Sequence, residues 1–398
     1  MSRGRALTYG YNDILVIPQD LQDFAWSAPM RDLAAKVGLS DVGLKKILKG
    51  HGAVTPPQGY WNKVLAGKPV PRCPRVPPRG PGETGRARVD ARFAAVLPAV
   101  EPISSSGPFA SAAVPEDLDE LYERERKALG RVALQRTLER LHPGLAQLSK
   151  QEERRRAKFG ASGWSWDAPR LDGALDQRRL RILNALFLAL ARRGQRGGAH
   201  DRDGEIDAAA LVGDTRVDIE IAVAGKHRTV REYGRDVPAR DLPASTPLRL
   251  VVGGSRDRPT GEGQWQDDAN GKLEAKLTEV AARVVVAGEA LFRRGLKDAE
   301  EREAQWRRWQ EQQRREELER RNAERLKQLR ASGDLLRQAD DLRALLARVR
   351  GAVVAGALDV DPAALTQWEA WASAEADRLD PVLSGQVLAH LVSRRGDS

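Results

Sequence analysis

Apolar positions first fall into a short helical pattern, then lose periodicity, then switch between helix and strand spacing. Leu33, Ala34 and Val37 stand at i, i+1 and i+4, which predicts one face of a short helix. Gly38 follows, where a tight turn tolerates positive φ. Leu39 fills the elbow, and Ser40 or Asp41 caps the next helix through a side-chain oxygen. Val42, Leu44, Ile47 and Leu48 recur at near-helical spacing and are expected to point back at the first helix, where small Ala34 permits a close crossing. This is the pattern of a helix-turn-helix, whose second helix is expected to read DNA, with an αα-hairpin that touches no nucleic acid as the alternative. Upstream, Asp20 to Trp26 predicts a supporting helix, with Phe24 and Trp26 as anchors. Tyr60 and Trp61 open another short helix and are expected to pack on the bundle, with stacking on a base or sugar as the alternative.

Beyond this block the pattern stops. Twelve of the 22 prolines lie between Pro56 and Pro115, and the run from Pro69 onward predicts an extended tether. Pro115-Glu-Asp then opens a helix carried by leucines to His142-Pro143, and a charged helix follows to about Phe159. Trp164 and Trp166 sit in a predicted loop. Asp176 to Arg193 is a strongly apolar amphipathic helix, stopped by Gly194. In Arg216 to Val223, Val217, Ile219, Ile221 and Val223 alternate with Arg216, Asp218 and Glu220, the mark of a half-buried strand. Ala208 to Val212 is its hairpin partner, Leu248 to Val252 another strand closed by Gly253-Gly254, and Asn270 to Phe292 a second long helix.

Residues 297–330 hold eleven basic and nine acidic residues with few apolar ones, which predicts a solvated spacer helix rather than a tight coiled coil. It is expected to end near Ser332-Gly333-Asp334. Leu335 to Val354 then reads as a packed helix using Leu336, Leu342, Leu345 and Val349. Asp361-Pro362 starts a last helix whose Trp368 and Trp371 are expected in the core of a helical end-cap. The fold class is therefore multi-domain and mainly α. It comprises an N-terminal helix-turn-helix domain (1–75), a Pro/Gly-rich linker (76–115), a helical connector (116–160), a small α+β middle domain (161–296), a charged spacer helix (297–331) and a C-terminal helical region (332–398).

Charge changes this picture in one place. The chain of 398 residues carries 66 Lys and Arg against 56 Asp and Glu. Of the net +10, an excess of nine lies in residues 31–88, which hold twelve basic and three acidic residues. A localised basic patch is the footprint expected for nucleic acid, because neutralised phosphates release counterions. The candidate DNA-contacting residues are Arg31, Ser40, Asp41, Lys45, Lys46, Lys49, Lys63, Lys68, Arg72 and Arg75. The expected partner is double-stranded DNA, with a protein partner or self-association through the charged helix and the Trp-containing C-terminal helix.

The run WSAPMRDLAAKVGLSDVGLKKI, followed by TPPQGYWNKVLAGKPVPR, resembles the N-terminal domain of a bacterial helix-turn-helix family carried on genomic islands and mobile elements. The resemblance is strongest over residues 20–75 and implies a DNA-binding domain without catalytic residues. It also implies a link to mobile-element or phage-defence systems. Gln58 stands where the family often has Arg, which removes one phosphate contact.

Chemistry is sparse elsewhere. A lone Cys73 excludes an internal disulfide framework and a multi-cysteine zinc site. The N-terminus lacks the apolar core of a signal peptide, and the longest apolar run, Ile182 to Ala191, is short of a membrane span. A cytoplasmic, nucleoid-associated protein is expected. His51, His142, His200, His227 and His390 form no ligand motif, and no glycine-rich run reads as a phosphate loop. Asp218 and Glu220 share a strand face and could converge on Mg²⁺, with Glu274 and Lys276 as a Glu-x-Lys pair. That pair falls in a helical pattern, so the two carboxylates are read as the wet face of a sheet. No cofactor or metal is expected. A non-enzymatic DNA-binding regulator or recruitment factor leads, with a metal-dependent DNA-processing nuclease and a coiled-coil scaffold as alternatives.

Overall fold

A computed structural model describes residues 13–135, 137–163, 168–202, 205–232, 235–239, 241–253 and 263–388. Trp164, Trp166, Gly254 and His390 lie outside the described residues. Helices make up about 54% of the chain, with an antiparallel sheet between them. The chain divides into two compact units, residues 1–300 and 301–398.

The first unit begins with β1 (Asp13–Val16), α1 (Pro18–Ala25), α2 (Met30–Val37), α3 (Asp41–Gly50) and α4 (Tyr60–Leu65). The expected helix–turn–helix boundaries are present. Gly38 sits at φ 68°, and Leu39 N–H reaches Ala34 O at 2.9 Å while Gly38 N–H reaches Ala35 O, which closes α2 in a Schellman turn. Ser40, rather than Asp41, caps α3: its hydroxyl oxygen accepts from Gly43 N–H at 3.1 Å. Leu33, Ala34, Val37, Leu44 and Leu48 form a buried core with Leu21 and Phe24. Val42 departs from expectation and is 76% exposed. It lies two residues before Leu44, about 200° around the helix, so both cannot face inward.

The Pro-rich segment is not the extended tether its composition suggested. Residues Ala87–Asp90 form β2, which pairs antiparallel with β1 from Val16↔Ala87 to Asp13↔Asp90. The following 3-10 turn (Ala91–Ala95) puts Phe93, fully buried, edge-on to Phe24 at 6.0 Å. Earlier in the segment, Arg79 bonds both carboxylate oxygens of fully buried Glu289 at 2.6 and 2.9 Å. Gly82 N–H donates to the same carboxylate at 2.8 Å. Prolines restrict the unfolded chain, so ordering such a segment loses little entropy, and two anchors hold it.

The rest of this unit holds α5 (Leu118–Leu129), α6 (Pro143–Ser162), α7 (Ala174–Arg192) and a five-stranded antiparallel sheet. Its strands are β3 (Arg196–Arg202), β4 (Glu205–Val212), β5 (Thr215–Val223), β8 (Leu248–Val252) and β9 (Gly263–Gln266), in that spatial order. A separate hairpin joins β6 (Thr229–Glu232) to β7 (Arg235–Pro238). α5 ends at Gly130, well before His142, where the leucine pattern had suggested one longer helix. The expected β4–β5 hairpin is present, with Val212 opposite Thr215. Its inward residues Ala208, Ala210, Val212, Val217 and Ile219 pack with α7 and the first turns of α8 (Leu277–Val354). Leu273, expected in that helix, lies in a preceding 3-10 turn.

Strand β3 was not expected, since the pattern predicts no element for the glycine-rich run that contains RGGAH. Here glycine serves close packing: a methyl group on Gly197 would stand 2.2 Å from the Phe187 ring, and one on Gly144 of α6 would meet Gly197 O at 1.9 Å. α8 likewise runs through Ser332-Gly333-Asp334 without the expected stop. A single interior glycine costs about 1 kcal/mol but keeps its N–H, so the ladder continues.

In the second unit, α8 meets α9 (Pro362–Leu379), capped by Asp361 onto Ala364 N–H at 3.0 Å. Ala339, Leu346, Ala372 and Ala376 are buried at the crossing, and Arg343 reaches Asp377 and Asp380 at 3.0 Å. Leu345 and Trp371, expected inside, are 49% and 62% exposed. Each stands one residue from a buried neighbour, Leu346 and Ala372, and is thus turned about 100° around its helix from the buried side.

Candidate nucleic-acid interface

Helix α3 buries Leu44 and Leu48 on one side. That geometry forces Asp41, Lys45, Lys46 and Lys49 into solvent, and all four are exposed. Arg31 is exposed on the first turn of α2, Lys63 on α4, and Lys68, Arg72 and Arg75 on the chain beyond it. None of these eight basic side chains pairs with an acid among the described residues. Each therefore keeps its charge available to an external anion. Ser40 spends one lone pair of its oxygen on the cap and retains its O–H donor and a second acceptor site.

The ten residues do not form one cluster. Lys45 alone shares a cleft with the Thr55–Asn62 segment, lined also by Pro56, Pro57, Tyr60 and Trp61. Residues 73–76 run beside α1, where Val76 N–H donates to Gln19 Oε1 at 2.8 Å and Cys73 lies against Gln22. Arg72 and Arg75 thus follow α1 rather than α3. Burial pushes the Cys73 thiol above its ordinary range, which disfavours the thiolate a nucleophile needs.

The loop after α3 is held from below. Buried Gln22 clamps Val54, donating to its carbonyl and accepting from its N–H, each at 2.8 Å, and Trp26 Nε1 donates to the same carbonyl at 2.6 Å. Gly59 at φ 76° then turns the chain into α4. The Tyr60 ring meets Trp26 edge-on at 5.1 Å and Trp61 at 5.2 Å. Tyr60 thus packs on the bundle as expected, yet α4 buries no residue and both rings remain half-exposed. The sequence signal for this wall was the Pro-Pro-x-Gly-Tyr-Trp run. The sequence signal for exposed Val42 beside the lysines was its two-residue spacing from Leu44, which the apolar pattern overrode.

The carboxylates of the middle domain are arranged differently. Asp218 accepts from Arg216 Nε at 2.7 Å, and Asp207 meets Arg216 at 3.3 Å and His200 at 3.1 Å. Glu274 is held by Arg178, which lowers its pKa through that bond, and Lys276 is bound to Asp268 at 2.7 Å. Asp218 is held by a neighbouring arginine, and the Glu-x-Lys pair is spent on the fold. Among the described residues no group of three His, Cys, Asp or Glu side chains is placed to hold a metal ion. No helix among them is long and apolar enough to cross a membrane.

Comparison with protein-family models, with curated proteins and with solved structures finds no match to this chain.

Proposed function

We propose that the chain binds double-stranded DNA through α3 and acts as a non-enzymatic regulator or recruitment factor. The observation that carries this reading is the set of unpaired lysines, Lys45, Lys46 and Lys49, on the exposed face of the second helix of a helix-turn-helix. A helix laid in the major groove meets phosphates and guanine edges with lysine. Asp41, in the first turn, accepts from a cytosine amino group, and exposed Val42 suits a thymine methyl. Lys63, Lys68, Arg72 and Arg75 add affinity without sequence preference. A role in mobile-element or phage-defence systems follows from the resemblance over residues 20–75 alone.

The test is binding to duplex DNA across a salt series. Affinity should fall steeply between low and moderate salt. Lys45→Ala with Lys46→Ala should weaken binding about tenfold or more, since two charged contacts are lost. A flat salt series, or a folded double variant that binds as wild type, removes the reading.

A protein-partner surface on the second unit is supported by Trp306 and Trp309. They stack at 4.9 Å and are 56% and 51% exposed. Exposed aromatics of this size mark contact surfaces. Replacing both by Ala should lower the sedimenting mass or abolish partner capture. Unchanged behaviour in both assays eliminates this surface.

A further inference from the structure

We infer that the cleft between α3 and the Thr55–Asn62 segment receives one unpaired nucleobase beside the duplex, so that the preferred DNA carries a bulge, junction or frayed end. This rests on the DNA-binding reading and specifies its substrate class.

The cleft has a volume of about 230 Å³. That is below the roughly 300 Å³ at which pockets begin to hold whole small molecules. It leaves room for a single planar ring system. Tyr60 and Trp61 supply aromatic surface, Pro57 an apolar wall, and Gln58 and Asn62 hydrogen-bonding groups for base edges. Lys45 is the one charged side chain in the lining. It stands on the recognition helix and makes no ion pair among the described residues. An aromatic platform beside a cation is the arrangement that holds a stacked base and its phosphate.

The fold does not require this surface. Trp26 covers one side of Tyr60, but α4 buries nothing, and neither Tyr60 nor Trp61 joins the apolar core. Bases in an intact duplex are already stacked and paired, and extruding one costs energy. A base unpaired beforehand avoids that cost.

The experiment uses the full chain and two labelled DNAs of equal length and charge, one fully paired and one with a single central bulged base. Wild type should favour the bulged DNA about tenfold, the lower part of the range expected for stacking one base. Trp61→Ala should erase the preference and melt as wild type. Since a bulge also bends DNA, a second measurement places photoreactive iodouracil at the bulge of the wild-type complex. The crosslink should map to Tyr60 or Trp61. Salt-dependent binding of paired DNA without a preference overturns the cleft and spares the DNA-binding reading. So does a crosslink elsewhere, or a preference that survives Trp61→Ala. Loss of binding to both DNAs by wild type removes both proposals.

Discussion

Helix α3 and the region of the antiparallel sheet both carry many charges, and they treat them in opposite ways. In the middle domain, Arg178, only 3% exposed, holds Glu274 and Asp267 and donates to the carbonyls of Ala244 and Thr246. Glu289, fully buried, is bonded by Arg79, Arg293 and Gly82 N–H. On α3, Lys45, Lys46 and Lys49 pair with nothing among the described residues. A buried charge left alone is costly, and buried Arg178 and Glu289 are each met by specific partners. An exposed lysine loses little by standing free, and its charge remains to be used. The difference separates charge that builds the fold from charge available to a ligand.

The largest expected effect tests the first half of this contrast. Arg178→Ala leaves two carboxylates and two carbonyls without their donor, and should destabilise the middle domain by about 3–5 kcal/mol. Chemical denaturation reads it. A change below about 1 kcal/mol would place Arg178 with the ornamental surface pairs. Arg178→Lys should recover only part of the loss, because an ammonium cannot reproduce the two-pronged bond to Glu274. Lys45→Ala with Lys46→Ala tests the other half. Alanine at exposed helical positions is favourable for propensity, so the double variant should melt as wild type. Its DNA affinity should drop about tenfold, or 1.4 kcal/mol. If instead Arg178→Ala lost DNA binding while remaining folded, the separation would fail.

Helix-turn-helix geometry was legible because its causes are local. Gly38, Ser40 and the 44/47/48 spacing lie within one short stretch, and each specifies its own turn or face. Strand β5 was legible for the same reason, through its alternation. What escaped was long-range. β2 is a strand because β1, more than 70 residues earlier, offers it an edge. Arg79 is buried because Glu289 lies 210 residues away. Proline and glycine composition reports local entropy and is blind to either partner. Glycine misled twice more: Gly197 admits the Phe187 ring inside a strand, and Gly333 sits mid-helix. At the candidate interface the lysines were legible as exposed residues of one helix. The cleft was not, since it depends on Gln22 and Trp26 holding Val54 in place.

A smaller effect sharpens the role of Ser40, which belongs to both categories. Its oxygen caps α3 and its O–H faces solvent. Ser40→Ala should cost about 1 kcal/mol, the usual worth of a cap, and Ser40→Asp should restore it. If the hydroxyl also touches DNA, Ser40→Asp should recover the melting temperature and not the affinity, because a carboxylate beside phosphate repels it. Recovery of both by Asp would leave Ser40 a cap only.

The smallest expected effect is a pH dependence at the start of α6. His142 caps α6: its ring Nδ1 accepts from Gly144 N–H at 3.0 Å, and its backbone N–H donates to Asn184 Oδ1 at 2.8 Å. Its side chain is buried against the Phe187 ring, and burial pushes its pKa below the ordinary 6.5. The folded state therefore favours the neutral ring, which alone offers Nδ1 as an acceptor. Above pH 6.5 both states are neutral and the contribution is complete. As pH falls below 6.5 the unfolded chain takes up the proton first, so stability declines until the folded value is reached. The size of the loss is set by how far burial lowers the folded-state value. His142→Asn keeps a strong capping acceptor and removes the titration. Wild type should thus lose more stability than His142→Asn between about pH 7 and pH 5, with the two converging near neutrality. DNA affinity over the same interval should be equal in both, since the helix that carries Lys45 and Lys46 holds no histidine. Parallel stability curves for the two proteins would mean that His142 is not kept neutral in the fold.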